Sequence, residues 1–138
     1  MIYLDSSALL KQYYNEPGSE TIRQIFQEVR RIATASFSYA EVFSALNRKR
    51  REKAIDNHRY RLAARAFEED WRHLVAVPIS DEVLARARTL LERYPLRAGD
   101  ALQLASALLC AEATDVEFAS ADQRLTQAAS AEGFSLLL

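Results

Sequence analysis

MIYLDSSALLKQYYNEPGS, residues 1–19, sets the pattern from which the rest of the chain is read. Ile2, Tyr3 and Leu4 form a short apolar run that stops at Asp5. Ser6 to Tyr14 then carries a helix-forming pattern, and Pro17-Gly18 breaks it. The opening is therefore a strand, one carboxylate and a helix. The same alternation recurs downstream. Ile22, Ile25, Phe26 and Val29 stand at helical spacing within residues 19–30, and Ile32-Ala33-Thr34 follows as a strand. Another helix is expected from about Ser38, offering Ala40, Phe43, Ala45 and Leu46 to the core. Beyond a charged segment from Arg48 to Lys53, a long helical pattern runs from about Asp56 to His73, and Leu74 to Val77 makes a third strand stopped by Pro78.

The second half repeats the rhythm. Ser80 is placed to cap a helix bearing Val83, Leu84, Ala87, Leu90 and Leu91, with Pro95 just past its end. Gly99-Asp100 opens the apolar helix ALQLASALLCA, Val116 to Ala119 is a fourth strand, Gln123 to Ala131 a short helix, and Phe134 to Leu137 a fifth strand. A helix with so little polar face implies that helices lie on both sides of a central sheet or that another subunit covers it. Short connections between alternating strands and helices predict an α/β domain of three layers, with a mostly parallel central sheet of four or five strands flanked by helices. The 138 residues are enough for one domain and few for two, so residues 1–138 are expected to fold as a single unit.

Composition narrows the function classes. Eighteen Lys and Arg against nineteen Asp and Glu leave a formal charge of −1, which argues against a generally polyanion-coated protein. With 49% hydrophobic residues, three Gly and three Pro, the chain is neither disordered nor collagen-like. A single cysteine, Cys110, excludes an internal disulfide framework and cysteine-rich zinc sites and fits a reducing, cytoplasmic compartment. No basic segment and no long apolar run precede Asp5, so export through a signal peptide is not expected. The most apolar window, Ala101 to Ala113, is too short to span a bilayer, so no membrane role is expected.

In an open parallel sheet, functional groups collect beyond the carboxyl ends of the strands. Four acids occupy such junctions: Asp5 after the first strand, Glu41 in the first turn after the second, Asp100 at the start of the apolar helix, and Asp122 after the fourth strand. If the fold brings them together, their mutual repulsion calls for a hard divalent cation, and oxygen donors favour Mg²⁺ or Mn²⁺. Each acid also has a purely structural explanation. Asp5, Asp100 and Asp122 are suited to cap the helices that follow them, and Ser38-Tyr39-Ala40-Glu41 has the form of a capping box.

These segments resemble the PIN-domain ribonucleases, especially the VapC-type toxins of toxin–antitoxin modules. YLDSSALLKQYYNEPGS resembles the family's first acidic strand end, TASFSYAEVFSAL its second motif, LRAGDALQLASAL its third and FASADQRLTQAASAEGF its last. The resemblance covers nearly the whole chain. It implies a PIN-like fold and a metal site built from Asp5, Glu41, Asp100 and Asp122 as catalytic and metal-binding residues, with Ser6 or Ser7 as hydroxyl support. It further implies an endoribonuclease that hydrolyses RNA with one or two Mg²⁺ or Mn²⁺ ions, leaving a 5′ phosphate and a 3′ hydroxyl. A homodimer and a cognate VapB-type antitoxin are the implied partners. Gln103 stands where many relatives have histidine.

Arg48, Lys49, Arg50, Arg51, Lys53, Arg59 and Arg61 outnumber Glu52 and Asp56 and would guide phosphates electrostatically or form a solvated helix face. Tyr13, Tyr14 and Tyr39 are either base-stacking or packing residues, and Trp71 is best read as packing. His58, His73 and Cys110 have no ligand-spaced or nucleophilic context. The isolated glycines form no phosphate-binding loop. A dehalogenase-like phosphatase would need a second aspartate just after Asp5, where Ser6-Ser7 stands, and a phosphoacceptor switch would need a paired acidic cluster and a lysine after the last strand. The remaining non-enzymatic alternative is a regulator that binds RNA or protein on a nuclease-like scaffold.

Overall fold

A computed structural model describes every residue except position 29, so Val29 of the expected helical face lies outside the described residues. The elements are β1 (Ile2–Leu4), α1 (Ser6–Leu10), α2 (Ser19–Gln27), β2 (Ile32–Ala35), α3 (Ser38–Arg51), α4 (Asn57–Trp71), β3 (Val75–Val77), α5 (Asp81–Arg93), α6 (Ala98–Ala111), β4 (Glu117–Ala119), α7 (Gln123–Ala131) and β5 (Ser135–Leu136). The strands form one parallel sheet in the order β3-β2-β1-β4-β5. Tyr3 pairs with Ala33 on one side and with Phe118 on the other, which places β1 at the centre.

Pleating explains why both faces need helices. Tyr3 points to one side, with Ala33, Phe118 and the apolar faces of α5, α6 and α7. Ile2 and Leu4 point to the other, against α1, α2, α3 and Phe67 of α4. The apolar helix α6 is thus covered by the sheet, α5 and α7, as its composition requires. Tyr3 stacks on Phe118 across the strand pair, with ring centroids 5.6 Å apart and planes 4° from parallel. The structure therefore has the three-layer α/β architecture with a five-stranded parallel sheet that the strand–helix alternation predicts.

Local details depart from expectation for identifiable reasons. The first helix stops at Leu10 rather than running to Tyr14, because the Lys11, Gln12 and Tyr13 N–H groups bond to carbonyls three residues back; the Lys11 side chain donates to the Pro17 carbonyl at 2.7 Å and to Glu16 at 3.2 Å. On α3 the buried positions are Ser38, Val42 and Leu46, with Phe43 and Ala45 packed against the same core as expected, while Ala40 is exposed. On α5, Val83, Ala87 and Leu90 are buried, but Leu84 and Leu91 are exposed. Ser80 caps α5 through the Val83 N–H at 3.2 Å, as predicted. Cys110 is half-buried, and burial pushes its thiol pKa up, away from nucleophilic use.

Candidate active site at the carboxyl edge of the sheet

Strand order reverses direction at β1: the chain moves from β1 outward to β2 and β3, then returns to place β4 on the other side of β1. That is the position where open α/β sheets leave a crevice. Asp5 ends β1 there and is only 4% exposed. It caps α1, with Oδ1 accepting from the Ala8 backbone N–H at 2.8 Å. Oδ2 accepts from Ser120 Oγ at 2.8 Å, and Ser7 Oγ lies within 2.8 Å of Oδ1 and 2.9 Å of Oδ2. Burial pushes the Asp5 carboxyl up to about 6, opposed by the hydrogen bonds from Ala8, Ser120 and Ser7, while the charge of Glu41 adds a smaller push upward. Its capping role and its exposure to a second carboxylate coexist.

Glu41 forms no capping box. The residue before α3 is Phe37, which makes no side-chain cap, and Ser38 is turned inward, where its Oγ accepts from Thr34 Oγ1 at 2.8 Å and from Gln103 Nε2 at 2.9 Å. Glu41 Oε1 accepts from Ser6 Oγ at 3.0 Å and from Gln103 Nε2 at 3.2 Å. Tertiary partners have displaced the local motif. Arg48, about two helical turns further along α3, lines the same depression as Ser6, Ser7 and Glu41. Of the basic run, Arg48 stands at this edge, whereas Lys49 covers the Tyr14 ring at 3.9 Å and Arg50 covers Tyr60 at 4.4 Å.

Asp100 and Asp122 form the second acidic pair, in a depression they share with Arg97, Gln123 and Arg124. Asp100 sits three residues into the α6 start and accepts from the Arg97 N–H at 3.3 Å rather than capping the helix directly. Its pKa is raised by burial first, with Asp122 adding to the rise and the Arg97 N–H and the charges of Arg97 and Arg124 opposing it. Asp122 caps α7 through the Leu125 N–H at 2.8 Å. Arg97 and Arg124 were not singled out from the sequence, although each lies within three residues of an acid at a helix start.

The two pairs are connected. Ser120 Oγ donates to Asp5 and accepts from the Asp122 N–H at 2.9 Å. A Cβ placed on Gly99 would lie 4.0 Å from Glu41 Oε2, so the start of α6 approaches Glu41 closely. Nevertheless, among the described residues no three His, Cys, Asp or Glu side chains form a group that would enclose a metal ion. The fold brings Asp5 toward Glu41 and Asp100 toward Asp122, in two neighbouring pairs rather than one four-acid cluster. The donors are all oxygens, which suits Mg²⁺ or Mn²⁺ in kind. Mg²⁺ in particular keeps several waters and is commonly held by one or two carboxylates, so paired acids meet its needs where a closed protein cage would not be required.

The aromatic residues resolve into packing. Tyr13, Tyr39, Phe43 and Trp71 surround the fully buried Phe67, with centroids 5.1 to 5.7 Å from it. Tyr13 also donates to Asp70 at 2.8 Å, and Tyr39 to Glu68. His58 and His73 are exposed. Among the described residues, no helix is long and apolar enough to cross a membrane.

A family model described as the PIN domain matches residues 2–131. Over 133 residues the chain is 29% identical to Ribonuclease VapC45 and to Ribonuclease VapC49 of two Mycobacterium tuberculosis strains, covering 96% of this chain and 92% of each relative. Among solved structures, its fold is similar to M. tuberculosis VapC20, described as a sarcin–ricin loop cleaving toxin, with a TM-score of 0.69 at 16% identity, covering 97% of this chain and 96% of that one. FitAcB from Neisseria gonorrhoeae gives a TM-score of 0.66 at 13% identity, covering 99% and 96%. A toxin–antitoxin complex from Klebsiella pneumoniae gives 0.63 at 15% identity, covering 90% and 88%. With a family match across nearly its full length and the acids of all four motifs at the carboxyl edge of its sheet, this chain belongs to the PIN-domain family, and the relatives it resembles there are VapC-type toxins.

Proposed function

We propose that the chain is a metal-dependent endoribonuclease that hydrolyses RNA phosphodiester bonds, and that it is the toxin of a toxin–antitoxin pair. The observation that carries this is Asp5, a carboxyl buried at the sheet's switch point with its pKa raised to about 6 and a second acid close enough to raise it further. A buried acid of this kind is poised to gain from a cation. Asp5 and Asp100 would hold Mg²⁺ or Mn²⁺ directly, with Asp122 beside them and Glu41 acting through water. A divalent ion bound there supplies an activated water and neutralises charge developing on the scissile phosphate. Ser7 and Ser120 keep the Asp5 carboxylate in one orientation, and Ser6 does the same for Glu41. Arg48, Arg97 and Arg124, at the rims of the two depressions, would receive the phosphates that flank the cleaved bond.

The ribonuclease names of the mycobacterial relatives and the toxin–antitoxin complex among the structural neighbours support the same reading, including a cognate VapB-type antitoxin, and a homodimer is the assembly proposed with it. The test is digestion of a panel of transfer, ribosomal and single-stranded RNAs by purified protein freed of inhibitor, with sequencing of product ends. Cleavage that requires Mg²⁺ or Mn²⁺ and is lost in folded Asp5→Asn and Asp100→Asn supports the proposal. Metal-independent cleavage insensitive to both changes overturns it, and binding without cutting favours a regulator. A concentration-independent monomer mass by light scattering would remove the homodimer.

A further inference from the structure

Gln103 is the polar exception on the buried side of α6, and it is 2% exposed. Its amide is fully engaged. Oε1 accepts from the Tyr3 hydroxyl at 2.7 Å, and Nε2 donates to Ser38 Oγ at 2.9 Å and to Glu41 Oε1 at 3.2 Å. Only one amide orientation satisfies this setting, because a flipped side chain would set Oε1 against the Glu41 carboxylate and leave two buried N–H groups facing a phenol. Tyr3 is held in β1 by stacking on Phe118, so the amide is anchored to the centre of the sheet. Both donors to Glu41, Ser6 and Gln103, meet the same oxygen, Oε1, while Oε2 faces Gly99 in the first turn of α6. Gln103 lies three residues after Asp100 on that helix, so the side chain that grips Glu41 belongs to the element that carries the other acidic pair.

We propose that Gln103 is a positioning residue: its amide, oriented by Tyr3, fixes Glu41 Oε1 so that Oε2 faces the start of α6, joining the two acidic pairs into one working site. This rests on the assignment of Glu41 to the nuclease site made above. A buried glutamine that merely filled space would show none of this dependence on Glu41.

The experiment compares wild type, Gln103→Leu, Gln103→His, Glu41→Ala and the Gln103→Leu/Glu41→Ala double variant on the best-cut RNA of the panel, with thermal unfolding of each. In parallel, the side-chain amide signals of Gln103 are followed by nitrogen-15 NMR in metal-free wild type and Glu41→Ala. Gln103→Leu is expected to lower kcat about 10- to 100-fold with KM for RNA nearly unchanged, the range seen when groups that orient ligands are lost. It should cost nothing further once Glu41 is gone. Gln103→His, which keeps a ring N–H at similar reach, should recover most of the rate, and Glu41→Ala should shift the Gln103 amide signals. Equal losses with and without Glu41, no recovery by histidine, or an amide signal indifferent to Glu41→Ala would overturn the proposal. If wild type cuts no RNA, the nuclease assignment fails by itself, and the NMR comparison still decides whether Glu41 and Gln103 are coupled.

Discussion

Replacing Asp5 by Asn should make the metal-free protein more stable at neutral pH while abolishing its activity. A carboxyl whose pKa rises on folding binds its proton more tightly in the native state, so its ionised form works against folding. For Asp5 the pKa moves from 3.8 to about 6. That difference of roughly two units corresponds to about 3 kcal/mol at ~1.4 kcal/mol per unit. The cost is absent only well below the unfolded-state pKa of 3.8, at about pH 3 and lower, where the carboxyl is protonated in both states. It grows as pH rises through 4 to 6 and is fully present above about 7. Asparagine removes the charge, keeps an oxygen for the Ala8 N–H, and loses one acceptor for Ser120, a loss of about 1 kcal/mol. The net gain should be about 2 kcal/mol at pH 7.5. Urea unfolding in chelator-treated buffer at pH 7.5 and pH 4 measures it. Saturating Mn²⁺ should then stabilise wild type by about 3 kcal/mol at a hundredfold excess over its dissociation constant, with little effect on Asp5→Asn. An Asp5→Asn protein less stable than wild type at pH 7.5, or a difference that is the same at both pH values, would refute the electrostatic account of this residue.

Arg97→Ala and Arg124→Ala should each weaken RNA binding across sequences and lower the slope of log affinity against log salt by up to about 0.7, the single-strand value for one phosphate contact, with the fold intact. An unchanged salt slope would place these side chains off the RNA path. Phe67→Ala should cost about 3–5 kcal/mol in urea unfolding, because it opens a cavity among Tyr13, Tyr39, Phe43 and Trp71. Gly18 precedes α2 with φ +90°, and an added Cβ would meet Leu138 at 3.3 Å and Lys11 at 3.4 Å. Gly18→Ala should therefore lose about 1–2 kcal/mol by the same assay, whereas Gly99→Ala, whose Cβ would meet nothing closer than 4.0 Å, should be tolerated in folding.

Much of the fold was legible because its signals are local. Short apolar runs punctuated by proline, glycine and capping residues mark β1 to β4 and the helices between them, and Asp5, Ser80 and Asp122 do cap the helices that follow them. The errors share one cause. Ser38-x-x-Glu41 has the right letters for a capping box, but Thr34, Ser6 and Gln103 offer those side chains better partners from distant elements. Leu84, Leu91 and Ala40 fit a helical period, yet the direction of each helix's buried face depends on what it packs against. Gln103 stands out as the lone amide in ALQLASALL, but its partners Tyr3, Ser38 and Glu41 lie on three other parts of the chain, so its role does not show in the sequence.

Alternation of strands and helices, the acids at their junctions and the likeness to a nuclease family are written in the linear order of residues, because periodicity and helix punctuation act between near neighbours. Which acids become neighbours is another matter. That follows from the crossover that carries β4 to the far side of β1, from the seats Ser7, Ser120 and Gln103 provide, and from how far each carboxylate is withdrawn from water. Distances across a sheet and the loss of solvent around a charge are properties of the assembled layers, and they settle into two acidic pairs only once those layers have packed.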